Sequence, residues 1–258
     1  MTFLTGQRRC THHAKGFPLT GWTDREFGDR PIKKVIGYNA DELDRVTRSE
    51  GYSTDERPIT YPLVEWGWGR KRCEEYVRQI VGETWRKSCC TFCPFAGGKP
   101  DVLARYRESP SEAAVALFLE YVALAMNERM ALYGGKSLNS VLTKDGNAEA
   151  LRLLQERLNE VPWAIYRVRR IIWAKGRGDR RTECLSEGPR DRIRSELLKQ
   201  GARLDGDHVR LWVRKRGEGY PALEEMLVAA PAVVEEKSRP RFQENWIRLS
   251  NGGLFQEP

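Results

Sequence analysis

Cysteine spacing constrains this chain more than any other feature. Cys90 and Cys93 stand in the stretch Ser88-Cys89-Cys90-Thr91-Phe92-Cys93-Pro94-Phe95. A C-x-x-C puts two thiolates on one tight turn, where a single metal or cluster edge takes both. Pro94 keeps the turn from continuing as regular structure, and Cys-Pro recurs at iron–sulfur sites. Cys10 and Cys73, upstream, would complete a four-thiolate shell. Three readings stay open. A [4Fe-4S] cluster draws thiolates from distant segments. Structural zinc needs four ligands, with His12 or His13 standing in for a distant cysteine. The third reading is an incidental C-x-x-C whose thiols serve as small hydrophobes. Cys89 is an alternative ligand to Cys90, and Cys184, alone in a polar stretch, reads as incidental. The iron–sulfur cluster is the reading carried forward.

Composition fits a folded protein with an anionic partner. The 258 residues suffice for one or two domains, and 40% hydrophobic content with eight tryptophans argues against disorder. A net charge of +8 favours nucleotides, nucleic acid or phosphate- and sulfate-bearing substrates. No apolar run approaches the roughly 20 residues that cross a bilayer, so no membrane partner is expected. The first residues are too short and polar for a signal peptide. A cytoplasmic, reducing location is therefore expected, where six cysteines read as ligands or reactive thiols.

Along the chain, residues 33–37 read as a short strand, 45–58 as an exposed connection, and 58–66 as extended. A helix over 70–81 places Cys73, Tyr76, Val77 and Ile80 on one apolar stripe, turning Cys73 inward. Residues 94–100 read as a boundary. Ser109-Pro110-Ser111-Glu112 signals a helix start, with the helix running to about 132. Another helix is expected over 148–158. Strands are expected around 166–169 and over 208–213, and short helices over 190–200, 221–228 and 241–247.

The order of motifs adds a resemblance. Arg9-Cys10-Thr11, Lys15 and Pro18-Leu19 come first, followed by Val35-Ile36-Gly37-Tyr38-Asn39-Ala40-Asp41-Glu42. Tyr61-Pro62-Leu63-Val64-Glu65-Trp66-Gly67-Trp68 then leads to Arg72-Cys73 and the Cys90–Cys93 stretch. In these motifs the chain resembles phosphoadenosine-phosphosulfate-reductase-like proteins of the PP-loop superfamily, over roughly residues 8–100 and more loosely to about 142. The resemblance implies an α/β nucleotide-binding domain with a cysteine-bound cluster beside the nucleotide's reacting end. By position, Cys10, Cys73, Cys90 and Cys93 match the family's cysteines. The superfamily's phosphate-gripping Ser-Gly-Gly-x-Asp-Ser loop has no counterpart in this sequence, and neither does the Glu-Cys-Gly tail of sulfonucleotide reductases. Ala96-Gly97-Gly98-Lys99 and Tyr133-Gly134-Gly135-Lys136-Ser137 read as turns and helix stops instead.

The expectation is an α+β chain: the carboxy-terminal part of a PP-loop (HUP-like) domain, encoded separately or truncated, paired with a separate PP-loop subunit. Residues 1–100 would form the cysteine-rich module, 101–160 a helical segment and 161–258 a basic α+β tail. Arg9, Lys15 and Arg45 are the natural contacts for a nucleotide or sulfonucleotide, with Asp41 and Glu42 orienting Arg45 or meeting a ribose hydroxyl. Arg167, Arg169, Arg170, Lys175, Arg177, Arg180 and Arg181, interleaved with Tyr166 and Trp173, form the densest positive run. They suit a nucleic-acid backbone or a solvated strand face.

Overall fold

The computed structural model describes residues 12–83, 90, 93, 100–133, 135–174 and 177–251. Helix and sheet are mixed, and the chain divides into two compact units, residues 1–88 and 89–258.

In the first unit a π-helical turn, His12–Gly16, leads into α1, Phe17–Phe27. Strand β1, Lys34–Val35, is followed by α2, Leu43–Glu50, and by β2, Ile59–Thr60. The two strands pair in parallel, Lys34 opposite Ile59 and Val35 opposite Thr60. The amides of Ile32, Lys34 and Ile36 donate to the carbonyls of Glu56, Pro58 and Thr60 at 3.0, 2.8 and 3.0 Å. Parallel neighbours need a crossover, and α2 supplies it. That helix falls where the sequence reads as an exposed connection, because Val46 is its one buried side chain and charge hides the period. The extended stretch is equally short: Pro62 opens α3, Pro62–Glu65, using the first-turn position where a missing N–H costs nothing. Arg57 ties α1 to β2, with its guanidinium 2.5 Å from Asp24 and 2.6 Å from the Gly28 carbonyl. Helix α4, Arg70–Val81, lies where the stripe predicts and ends at Gly82, whose φ of 84° is the left-handed cap that glycine adopts freely.

The second unit contains α5 (Pro100–Glu108), α6 (Pro110–Met126), α7 (Leu138–Asp145) and α8 (Ala148–Glu160). Helix α6 starts at the expected Ser109-Pro110 signal but stops at Met126, six residues early; Asn127 is extended. Tyr133 and Lys136 close a turn, and Ser137 then caps α7 by accepting from the Ser140 amide, so Gly135-Lys136-Ser137 form a turn and helix start; Gly134 lies outside the described residues.

Six antiparallel strands complete the sheet of this unit: β3 (Trp163–Ile172), β4 (Gly178–Gly188), β5 (Arg203–Asp205), β6 (His208–Arg214), β7 (Ala222–Pro231) and β8 (Lys237–Ser238). Helices α9, Arg190–Lys199, and α10, Phe242–Ser250, accompany them. The sheet order is β5-β6-β7-β3-β4-β8. Strand β7 overturns the helix expected over 221–228. Pro221-Ala-Leu-Glu-Glu-Met-Leu has helical propensity, yet the segment fills the gap between β6 and β3, and tertiary pairing prevails. Strand β4 is hidden in the sequence because its alternation is one of charges.

Alternation along β3 puts Trp163, Ile165, Arg167, Arg169 and Ile171 on one face and Ala164, Tyr166, Val168 and Arg170 on the other. Ile171 and Leu223 pack with Phe242 and Trp246 of α10, while Ala164, Tyr166 and Val168 pack with Ala125 and Met126 at the end of α6. Trp163 and Ile165 join the main core with side chains from α5 to α9. Residues 101–160 and 161–258 therefore share one core. Among the described residues no single helix is long and apolar enough to cross a membrane.

Candidate metal centre and charged surfaces

Cys90 and Cys93 close a turn in which the Cys93 amide donates to the Cys90 carbonyl at 3.1 Å. A bond from residue i+3 back to residue i holds the two Cα atoms within about 7 Å. Cys90 is exposed and Cys93 half-buried against the main core of the second unit. In the first unit, half-buried Cys73 lies on α4 with its thiol 4.0 Å from the Trp68 carbonyl. Arg72 and Tyr76 both meet the Trp68 ring, at 5.1 Å. The expected stripe is only partly covered, since Ile80 is 69% exposed. Cys10, Cys89 and Arg9 lie outside the described residues, and the side chain of His12 does too. Among the described residues no three His, Cys, Asp or Glu side chains form a metal-binding group. Cys73, Cys90 and Cys93 are free thiols, and thiolates are the ligands that iron–sulfur clusters and structural zinc take. At Cys184, burial and then the Glu187 carboxylate push the thiol up, away from a reactive thiolate.

Asp41 and Glu42 sit on the loop entering α2 and Arg45 in its first turn, with different duties. The Asp41 carboxylate accepts from the Arg70 amide at 2.6 Å, capping α4 from outside its own sequence. A Cβ on Gly69 would stand 2.9 Å from both oxygens of that carboxylate, so the cap requires glycine there. Glu42 grips Arg45 at 2.5 Å, and the Arg45 guanidinium lies 5.0 Å from the centre of the Tyr38 ring. Tyr38 stacks on Tyr61, whose hydroxyl is 2.5 Å from that of Ser49. This aromatic backing of Arg45 has no local signature in the sequence; Tyr38 and Tyr61 are 23 residues apart, and only the pairing of β1 with β2 brings them together. Lys15 is exposed on the π-helical turn.

The positive run is largely neutralised within the sheet. Arg167 pairs with Glu225 at 2.6 Å, Arg169 with Glu183 at 2.9 Å, and Arg181 with the same glutamate at 2.6 Å. Arg170 pairs with Glu224. Tyr166 is buried and its hydroxyl accepts from the Val234 amide at 3.3 Å. Arg177 and Arg180 remain exposed, and Lys175 lies outside the described residues. The run is chiefly a set of cross-strand ion pairs.

A cavity of about 220 Å³ in the second unit is bordered by Glu120, Tyr121, Asn139, Asp207 and His208. The buried Glu120 carboxylate accepts from the amides of Leu132 and Leu138 at 2.8 Å and of Asn139 at 3.3 Å. Burial nevertheless outweighs those bonds and raises its pKa. The His208 ring lies 4.4 Å from the Tyr121 ring centre at a 49° tilt, its Nδ1 is buried without a partner among the described residues, and burial lowers the imidazole pKa to about 4.

Compared with protein families, with curated proteins and with solved structures, the chain matches none of them.

Proposed function

We propose that this chain is the cluster-bearing portion of a phosphoadenosine-phosphosulfate-reductase-like PP-loop enzyme, acting in sulfur transfer or in sulfonucleotide or nucleic-acid chemistry. Cys10, Cys73, Cys90 and Cys93 are the thiolates that would hold a [4Fe-4S] cluster. The observation that carries the reading is the closed Cys90–Cys93 turn, with one cysteine open to solvent and the other anchored on a core. Such a turn offers two thiolates to one centre from a fixed base. The parallel β1–β2 pair with its helical crossover lends further support, because that unit is the building block of α/β nucleotide-binding sheets. Two parallel strands make a small sheet, and a separate subunit carrying the PP-loop would extend it.

When bound, the cluster would supply electrons or polarise a sulfur-bearing group. The chain's own residues bind and orient. Arg9 and Lys15 would neutralise the sulfate or phosphate, and Arg45, held by Glu42 and backed by Tyr38, offers a preoriented guanidinium fork. Asp41 fixes the start of the helix that carries Cys73. Turnover of a nucleotide is expected only with the PP-loop partner present.

Anaerobic purification tests the reading. Brown protein with about four iron and four sulfide per chain is expected, with both lost in Cys90→Ser and Cys93→Ser and retained in Cys184→Ser. Colourless protein with one zinc per chain would contradict it and favour a zinc-stabilised nucleic-acid-binding module without catalysis.

A further inference from the structure

The sheet of the second unit compensates its charges in the middle and leaves them uncompensated at one end. Register fixes which segments meet there. Ile172, the last residue of β3, lies opposite Gly178 of β4 and opposite Ala222, the first residue of β7. The β3–β4 and β6–β7 connections therefore emerge side by side. Strand β8 runs antiparallel to β4, so the chain leaving Ser238 heads toward the same end, where Arg239 comes 3.8 Å from Asp179. Three segments distant in sequence thus bring Arg177, Arg214, Lys215, Arg216, Arg239 and Arg241 to one edge of the fold. Opposing them in these segments are Asp179 and Glu218, and Asp179 already accepts from the Trp173 indole at 2.8 Å. Among the described residues Arg177, Arg214, Lys215 and Arg241 have no ion-pair partner, whereas Arg167, Arg169, Arg170 and Arg181 each have a glutamate.

Two further details separate this end from an ordinary solvated surface. Tyr220 is 55% exposed, and its hydroxyl accepts from Arg216 at 2.8 Å while the guanidinium lies 5.5 Å from the ring centre. A flat aromatic ring is thus held in solvent beside the cations. Arg241 has φ 59° and ψ 11°, the left-handed region that favours glycine, so the backbone gains nothing from a side chain there.

The geometry points to a binding surface for single-stranded nucleic acid at this end of the sheet. The cations follow the phosphates, and Tyr220 stacks on a base. An exposed base face is what a single strand offers and a duplex withholds. The surface uses none of the cysteines and stands independently of the cluster.

Fluorescence anisotropy of the full chain with labelled 20-mers of oligo-dT and oligo-rU tests this. Single-strand contacts weaken by about 0.7 log per phosphate per log of salt, so six contacts predict a roughly 300-fold loss of affinity between about 50 and 200 mM salt. Arg214→Ala/Lys215→Ala/Arg216→Ala should reduce that loss to roughly 20-fold, the response of three remaining contacts. Tyr220→Ala should weaken binding about tenfold without changing the salt response. Arg241→Gly should weaken binding while leaving the melting temperature unchanged or higher, which separates the role from folding. Tighter binding of dT over rU, or the reverse, shows which of the two strands the surface prefers and supports the surface either way. Absence of binding, an unaltered salt response in the triple variant, equal or tighter binding of a duplex, or preferential binding to phosphatidylglycerol vesicles through the same residues would overturn it. Retained iron in each variant keeps this result distinct from the fate of the cluster.

Discussion

His208 and Glu120 border one cavity and respond to pH in opposite senses. Burial lowers His208 in the folded state to about 4 from 6.5, so the unfolded chain takes up a proton first as pH falls. Stability is full above 6.5 and is lost as pH drops toward 4, by about 2 kcal/mol between pH 7 and pH 5. His208→Gln should flatten that limb when urea midpoints are compared at the two values. Glu120 is raised by burial, so the folded state holds a proton that the unfolded chain has released, and stability falls as pH rises above 4.5 through the folded value. Glu120→Ala strands the two buried amides of Leu132 and Leu138 and the part-buried one of Asn139, and should cost about 3 kcal/mol at neutral pH. Neither group stands out in the sequence. Glu120 lies in an apolar helix as one acid among many, and its amide partners come from 12 to 19 residues away. The cysteine turn is legible because Cys90 and Cys93 are near neighbours in the sequence.

Helix ends carry the predictions that belong to whole elements. Helix α6 stops where two sheet arginines meet its last carbonyls: Arg170 donates to the Met126 carbonyl, and Arg210 donates to those of Leu124 and Ala125 at 2.8 and 3.2 Å. Cations at a helix C-terminus satisfy free carbonyls and oppose the dipole. Arg210 is only 3% exposed, so Arg210→Met should cost about 3 kcal/mol, read as a lower thermal midpoint. At the start of α4, Gly69→Ala and Asp41→Ala should each cost about 1 kcal/mol by removing the same cap, and the double variant should cost little more than either alone. Local signals make α4, α8, α9 and β6 legible, since periods and turn residues bracket each of them. Strand β7 is not, because the choice between helix and strand for Ala222-Leu223-Glu224-Glu225-Met226 is made by β3 and β6 on either side. The positive run misleads in a related way: the glutamate partners of Arg167, Arg169 and Arg170 lie 14 to 58 residues off and are joined by register, while Arg181 meets Glu183 within its own strand.

The two units differ most in their interiors. Among the described residues the first buries only Val46 and Tyr61 as apolar side chains, while the second holds all three buried clusters. Native-state hydrogen exchange should therefore protect β3 and β7 by orders of magnitude more than α1, α2 or α4. Equal protection in both units would show that the first is stabilised by something other than its own core. A PP-loop partner should raise protection in β1 and β2 if it completes their sheet. Iron K-edge X-ray absorption of anaerobically isolated full-length chain tests the central claim most directly. Iron surrounded by sulfur with a strong iron–iron contribution, weakened or absent in Cys93→Ser, is the predicted result. Iron bound by nitrogen and oxygen, or iron absent while zinc fills the site, would contradict it.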